Sequence, residues 1–149
     1  MVFLTYKECN SNKILLNSTV KDAVETLEKG DLKIVLVLDQ NNVLKGTVYD
    51  GDIRRALLKG QSLTCKIEKV MTRNYIRVSK KATFKEVREI MKKKSIFHVP
   101  VTDKENKLLG LHVLDKYGFE EDFKTYPNSA LLMAGGRGKR LMPLTENCP

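Results

Sequence analysis

Apolar residues at 20, 23, 24 and 27 fall at helical spacing. Thr19 and Asp22 supply a capping-box pattern ahead of them and Gly30 a stop, which predicts a helix of about three turns. The run 34–38 is uninterruptedly apolar with β-branched members, the composition of a strand buried on both faces. Asp39, Gln40, Asn41 and Asn42 turn the chain, and residues 43–48 return as a second strand. A second helix follows. Asp50 and Asp52 place acids in its first turn, Ile53, Ala56 and Leu57 give its inner face, and Lys59-Gly60 ends it.

The same order recurs 64 residues later without a gap. Thr19 falls on Thr83, Glu25 on Glu89, Val35 on Val99, Val37 on Val101, Asp39 on Asp103, Asn42 on Asn106 and Gly46 on Gly110. In the second copy Thr83 and Glu86 cap a helix with Phe84, Val87, Ile90 and Met91 inward, followed by strands at 96–101 and 108–113 around a turn at 103–106. Pro100 inside the first of these marks an edge strand, or a place where no ladder bond is required. An apolar face that one copy cannot bury alone is buried against its twin, and two-fold packing of twins leaves equivalent clefts between them.

Composition narrows the class. With 149 residues, 42% hydrophobic and 30% charged, the chain reads as ordinary globular material. Three scattered cysteines at 9, 65 and 148 share no ligand spacing, which argues for a reducing interior without a disulfide or a structural metal. Charges at Lys7, Glu8 and Lys13 interrupt any signal-peptide core and no run reaches membrane length, so the expected location is the cytoplasm, without membrane contact. The net charge of +9 comes from scattered pairs and one triplet, 92–94, that closes a helix. No nucleic-acid-binding motif accompanies it, which disfavours nucleic acid as a partner.

A duplicated unit of this order, with an apolar strand followed by a Gly-x-x-x-x-x-Asp segment, resembles the tandem CBS domain pair, or Bateman module. The resemblance implies an α+β (α/β) fold of two β-α-β-β-α repeats related by a pseudo-two-fold axis, the first spanning 1–64 and the second 65–125. It implies that clefts between the repeats bind adenosine nucleotides, AMP or ATP, and that the module regulates an attached enzyme. The family's Gly-x-x-Thr/Ser-x-x-Asp falls on Gly46, Tyr49 and Asp52, with Asp52 taking both ribose hydroxyls and Tyr49 standing where the phosphate-holding hydroxyl does. A carboxylate accepting two hydrogen bonds from a cis-diol is sound chemistry, each charge-assisted bond contributing roughly 1.5–3 kcal/mol. The second copy reads Gly110, Val113 and Lys116 and lacks both groups. The implied ligand set is completed by Thr19, Lys33, Ile34, Leu36, Asp50, His98 and Pro100, with Lys33 or Ile34 and Phe97 or His98 on the strand positions that face phosphate. Without the resemblance, Asp52 is equally an acid of a first helical turn, and His98 a structural histidine.

The tail is different. Residues 130–134 read as a short buried strand, and Gly135-Gly136-Arg137-Gly138 follows at once, a backbone able to wrap phosphates with its own N–H groups. It is neither a Walker loop nor a dinucleotide fingerprint. Leu132, Gly135, Gly136, Gly138, Arg140, Leu141, Pro143, Leu144, Thr145 and Pro149 together resemble the opening signature of the sugar-phosphate nucleotidyltransferases. The resemblance implies that residues 126–149 are a linker and the first strand and Gly-rich loop of a Rossmann-like catalytic domain. Gly135, Gly136, Gly138 and Arg140 would hold the nucleoside triphosphate, and Mg²⁺ would serve the whole enzyme. The expectation is a piece of a longer protein that alone has no transferase activity and no cofactor of its own, and whose repeats sense AMP or ATP. The alternative is a ligand-free module that dimerises; a homodimer is expected in either case.

Overall fold

A computed structural model of the protein describes residues 1–114, and the tail signature with Gly135, Gly136, Gly138 and Arg140 lies outside them. The chain enters as strand β1 (Val2–Thr5), passes a 3-10 turn and forms β2 (Lys13–Leu15), helix α1 (Val20–Lys29), β3 (Val35–Leu38), β4 (Leu44–Val48) and helix α2 (Asp50–Leu58). The second repeat supplies β5 (Val78–Ser79), helix α3 (Phe84–Lys94), β6 (His98–Thr102) and β7 (Leu108–Val113). Its second helix would fall beyond residue 114.

The strands form two sheets, β2-β3-β4 and β1-β7-β6-β5, and the 64-residue offset survives in their register. In the first sheet Val35 pairs with Val48 and Val37 with Gly46, with a bulge before Leu38. In the second, Val99 pairs with His112 and Val101 with Gly110, with a bulge before Thr102. Both capping boxes form, Thr19 with Asp22 and Thr83 with Glu86, each contributing about 1 kcal/mol to its helix. Both turns are built by an aspartate whose Oδ1 accepts backbone N–H groups, Asp39 from Asn41 and Val43, Asp103 from Glu105 and Lys107. Both close on an asparagine in the left-handed region, Asn42 at φ 62° and Asn106 at φ 64°, which asparagine tolerates better than most residues.

These turns meet at the symmetry axis. Val43 bridges Lys107, its own equivalent. Leu44 N–H donates to Asn106 O at 2.9 Å, and Leu108 N–H donates to Asn42 O at 3.0 Å. Beneath them Ile34, Leu36, Leu38 and Leu44 of the first repeat pack with Leu108 and Leu111 of the second in one core; a second core joins α1, β3, β4 and α2 with Ile67 and Met71, and a third lies among β5, α3 and β6.

Several expectations need correction. Val24, Leu57 and Phe84 point outward. The buried stripe on each helix is narrow: Val20, Ala23 and Leu27 on α1, Ile53 and Ala56 on α2, Val87 and Met91 on α3. Phe84 lies edge-on to His112 instead, with centroids 5.3 Å apart. The strand containing Pro100 is not an edge, because β6 sits between β7 and β5. However, β5 pairs only with Val101 and Thr102, so Pro100 has no partner strand on that side. The first strand begins at Val35 rather than 34, and the second at Leu44 rather than 43.

The unassigned head becomes β1, whose Leu4 pairs with Leu111 and Thr5 with Gly110. Gly110 makes that approach possible: a Cβ there would run into Leu4 O and the Phe3 ring. Gly110→Ala is therefore expected to cost about 2 kcal/mol by overpacking and to loosen β1 selectively. Faster hydrogen exchange at Leu4 and Leu111 with little change on α1 is the expected readout; an unchanged melting temperature contradicts it.

Candidate functional site

The first-repeat motif bends from β4 into the start of α2. Gly46 serves the backbone rather than a ligand: a Cβ would lie 2.8 Å from Met71 Sδ and 3.0 Å from Thr72 O. The segment it admits pairs with β4 through Thr47 N–H to Thr72 O at 3.1 Å and Thr72 N–H to Thr47 O at 2.8 Å. Thr72 is thereby set beside Asp52.

Asp52 occupies the third position of α2 with its side chain 10% exposed. Its Oδ2 accepts the Tyr49 N–H at 2.8 Å, the half of a capping box that fixes the carboxylate. Its Oδ1 accepts from Arg55 Nη2 at 2.6 Å and from the Thr72 hydroxyl at 3.4 Å. The Arg55 guanidinium is on the surface, where an ion pair contributes little, so Oδ1 is exchangeable while Oδ2 is not.

Tyr49, three residues earlier, turns its ring towards the second repeat and meets His98, centroids 6.0 Å apart and tilted by 43°. Burial, with the Asp52 charge adding, pushes the Tyr49 phenol up to about 12, so at neutral pH it remains an O–H donor. Burial pushes His98 down to about 4, so its imidazole is neutral, and its Nδ1 is buried without a hydrogen-bond partner. Beside it a cavity of about 460 Å³ is lined by Lys33, Phe97, His98, Val113 and Leu114 with Asp31 and Leu32. That volume lies within the range of small-molecule sites.

The expected residues separate into groups. The Tyr49 ring meets His98 of the other repeat, and Lys33 joins His98 on the cavity wall, whereas Asp52 is tied to the Tyr49 backbone N–H and does not line that cavity. Asp50 is exposed and pairs with Arg54. Ile34 and Leu36 are fully buried in the shared core, and Pro100 is buried on β6. The Thr19 hydroxyl is used in its capping box, donating to Asp22 Oδ2 at 2.9 Å and accepting from Asp22 N–H at 3.3 Å. Thr72 and Arg55 were not singled out from the sequence. The i, i+3 spacing from Asp52 to Arg55 was a legible signal, whereas Thr72 arrives through a long-range pairing no local pattern announces. Among the described residues there is no group of histidine, cysteine and acidic side chains placed to hold a metal ion, and no helix long and apolar enough to cross a membrane.

Comparison with known proteins matches residues 13–59 and 67–111 to the CBS domain. Arabinose 5-phosphate isomerase GutQ of Salmonella typhi is 35% identical over 98 residues, which is 66% of this chain and 30% of that protein. KpsF of Escherichia coli, also an arabinose 5-phosphate isomerase, is 31% identical over 99 residues with the same coverage. The chain thus spans less than a third of the curated relatives it matches. They are isomerases by name, not nucleotidyltransferases. Among solved structures, the CBS domains of a transcriptional regulator from Streptococcus pneumoniae are similar at 25% identity and a TM-score of 0.61, over 70% of this chain and 85% of that one. The CBS domain pair of protein MJ0100, solved with 5′-methylthioadenosine and S-adenosyl-L-methionine, is 27% identical with a TM-score of 0.60, over 68% and 79%.

Proposed function

Because this chain belongs to the CBS domain family and carries two copies in tandem, we propose that it binds one adenosine nucleotide in the cleft between its repeats and thereby regulates an enzyme of sugar-phosphate chemistry. The supporting observation is the Asp52 carboxylate, nearly buried, with one oxygen anchored by the Tyr49 N–H and the other engaged by surface Arg55 and a long Thr72 contact. A ribose cis-diol replaces Arg55 at that second oxygen at little cost, and Arg55 is released towards the phosphate. Tyr49 donates its hydroxyl, and Lys33 supplies a cation from the wall of the cavity beside His98. The second repeat, with Val113 at the hydroxyl position, offers no equivalent grip, so one ligand per chain is expected.

For the attached enzyme, the curated relatives are sugar-phosphate isomerases by name, matched over 66% of this chain. The tail signature from Leu132 to Pro149, carried by this chain's own residues, supports a sugar-phosphate nucleotidyltransferase. Both lines support a sugar phosphate as the attached enzyme's substrate, and the tail favours nucleotidyl transfer.

The test is calorimetric titration with AMP and ATP. Asp52→Asn keeps an oxygen to accept the Tyr49 N–H but loses the charge, so its affinity is expected to fall by about ten- to one-hundred-fold, with the ligand-free melting temperature little changed. An Asp52→Asn protein that binds as tightly as wild type removes this reading. A second reading, a ligand-free dimerisation module, draws on Leu57 and Leu58 of α2, which are 43% and 82% exposed. It requires a dimer whose melting temperature nucleotide does not raise.

A further inference from the structure

The two repeats keep equivalent hollows at the far ends of their parallel strand pairs, and chemistry distinguishes them. In the first, about 300 Å³, the lining includes Leu16, Asn17 and Gln40, and its charged groups are the carboxylates of Asp39 and Glu68. In the second, about 820 Å³, the same three positions are Lys80, Lys81 and Lys104, and Arg77 and Lys107 join them. Five cations face two carboxylates there, a net +3. The carboxylates are already used. Asp103 Oδ1 accepts the N–H groups of Glu105 and Lys107 in the turn, and Glu105 pairs with Lys107 Nζ at 2.7 Å. Arg77 is held by Nη1 donating to the buried Thr102 hydroxyl at 2.8 Å, which aims a fixed guanidinium at the hollow. The ammonium groups of Lys80, Lys81 and Lys104 have no partner among the described residues.

We propose that this hollow, lined by Arg77, Ser79, Lys80, Lys81 and Lys104, is a second ligand site that takes a compact anion with two or three phosphoryl groups. A fixed arginine surrounded by adaptable lysines suits a phosphate chain: the guanidinium sets orientation and the ammonium groups follow the remaining charge. One phosphoryl group leaves most of these cations unmatched, and a long polyanion exceeds the hollow. The site needs no ribose and does not rest on the Asp52 cleft.

Inorganic tripolyphosphate is the probe, titrated calorimetrically into the full chain at moderate salt. Saturable one-to-one binding is expected, and the exposed triple variant K80Q/K81Q/K104Q, which leaves the core untouched, should weaken it at least about ten-fold. The pair K21Q/K29Q, exposed on α1, should not. Asp52→Asn should retain tripolyphosphate binding while losing AMP, and the triple variant should retain AMP, so failure of either site is read separately. Absence of saturation, or equal weakening in both lysine variants, reduces the hollow to a solvated basic face and overturns the proposal.

Discussion

Leu36→Ala should lower the unfolding free energy by about 3 kcal/mol, within the 2–5 kcal/mol range for truncating a buried leucine. Leu36 is fully buried and pairs on one side with Lys13 and on the other with Thr47. Its side chain belongs to the core that Leu108 and Leu111 of the other repeat complete, so the cavity opens between the repeats rather than within one. The loss is a large fraction of the about 5–15 kcal/mol by which a domain is stable. Because the core is shared, both repeats should be lost in one transition at a lower midpoint. Urea denaturation followed by far-ultraviolet circular dichroism and tyrosine fluorescence checks this. Two separated transitions, or a cost below about 1 kcal/mol, contradict a core common to both halves.

The second large effect is a pH dependence carried by His98. The folded protein holds its pKa near 4 by burial, against 6.5 for the free side chain. Above pH 6.5 the group is neutral in both states and contributes nothing differential. Between 6.5 and about 4 only the unfolded chain takes the proton, so stability falls as pH falls through that window, by up to about 3 kcal/mol at 1.36 kcal/mol per unit. Below 4 the loss stops growing. His112 is depressed by burial in the same direction, and the carboxyls of Asp22, Asp39 and Glu86 are held low by backbone N–H donors, so they also withdraw stability in acid. All of these are common to wild type and His98→Leu, and the difference between the two pH profiles isolates His98. The variant should gain on wild type from pH 6.5 down to 4; parallel profiles mean that His98 is not held neutral.

Duplication was the most legible feature because it is written in positions rather than in propensities. The same offset reappears in ladder register, bulges, caps and left-handed asparagines, each fixed by residues a few positions apart. Burial on the helices was less legible. Spacing alone admits Val24, Leu57 and Phe84 to the inner face, and only the tertiary packing around each helix decides how wide that face is. At the site, Asp52 was readable because its place in a helix start is local. The Tyr49–His98 contact was not, because it depends on how two repeats are set against each other. Gly46 was readable as required, but its requirement is the approach of Met71 and Thr72 rather than of a ligand.

Titration of the wild-type chain with AMP and with 2′-deoxy-AMP is the most direct measurement, since the two differ by one of the hydroxyls Asp52 is assigned to hold. AMP should bind one-to-one in the micromolar range, with the deoxy compound weaker by about ten-fold or more, the equivalent of about 1.4 kcal/mol. Equal affinities, or no binding of either below millimolar concentrations, contradict a nucleotide held through its ribose between the repeats.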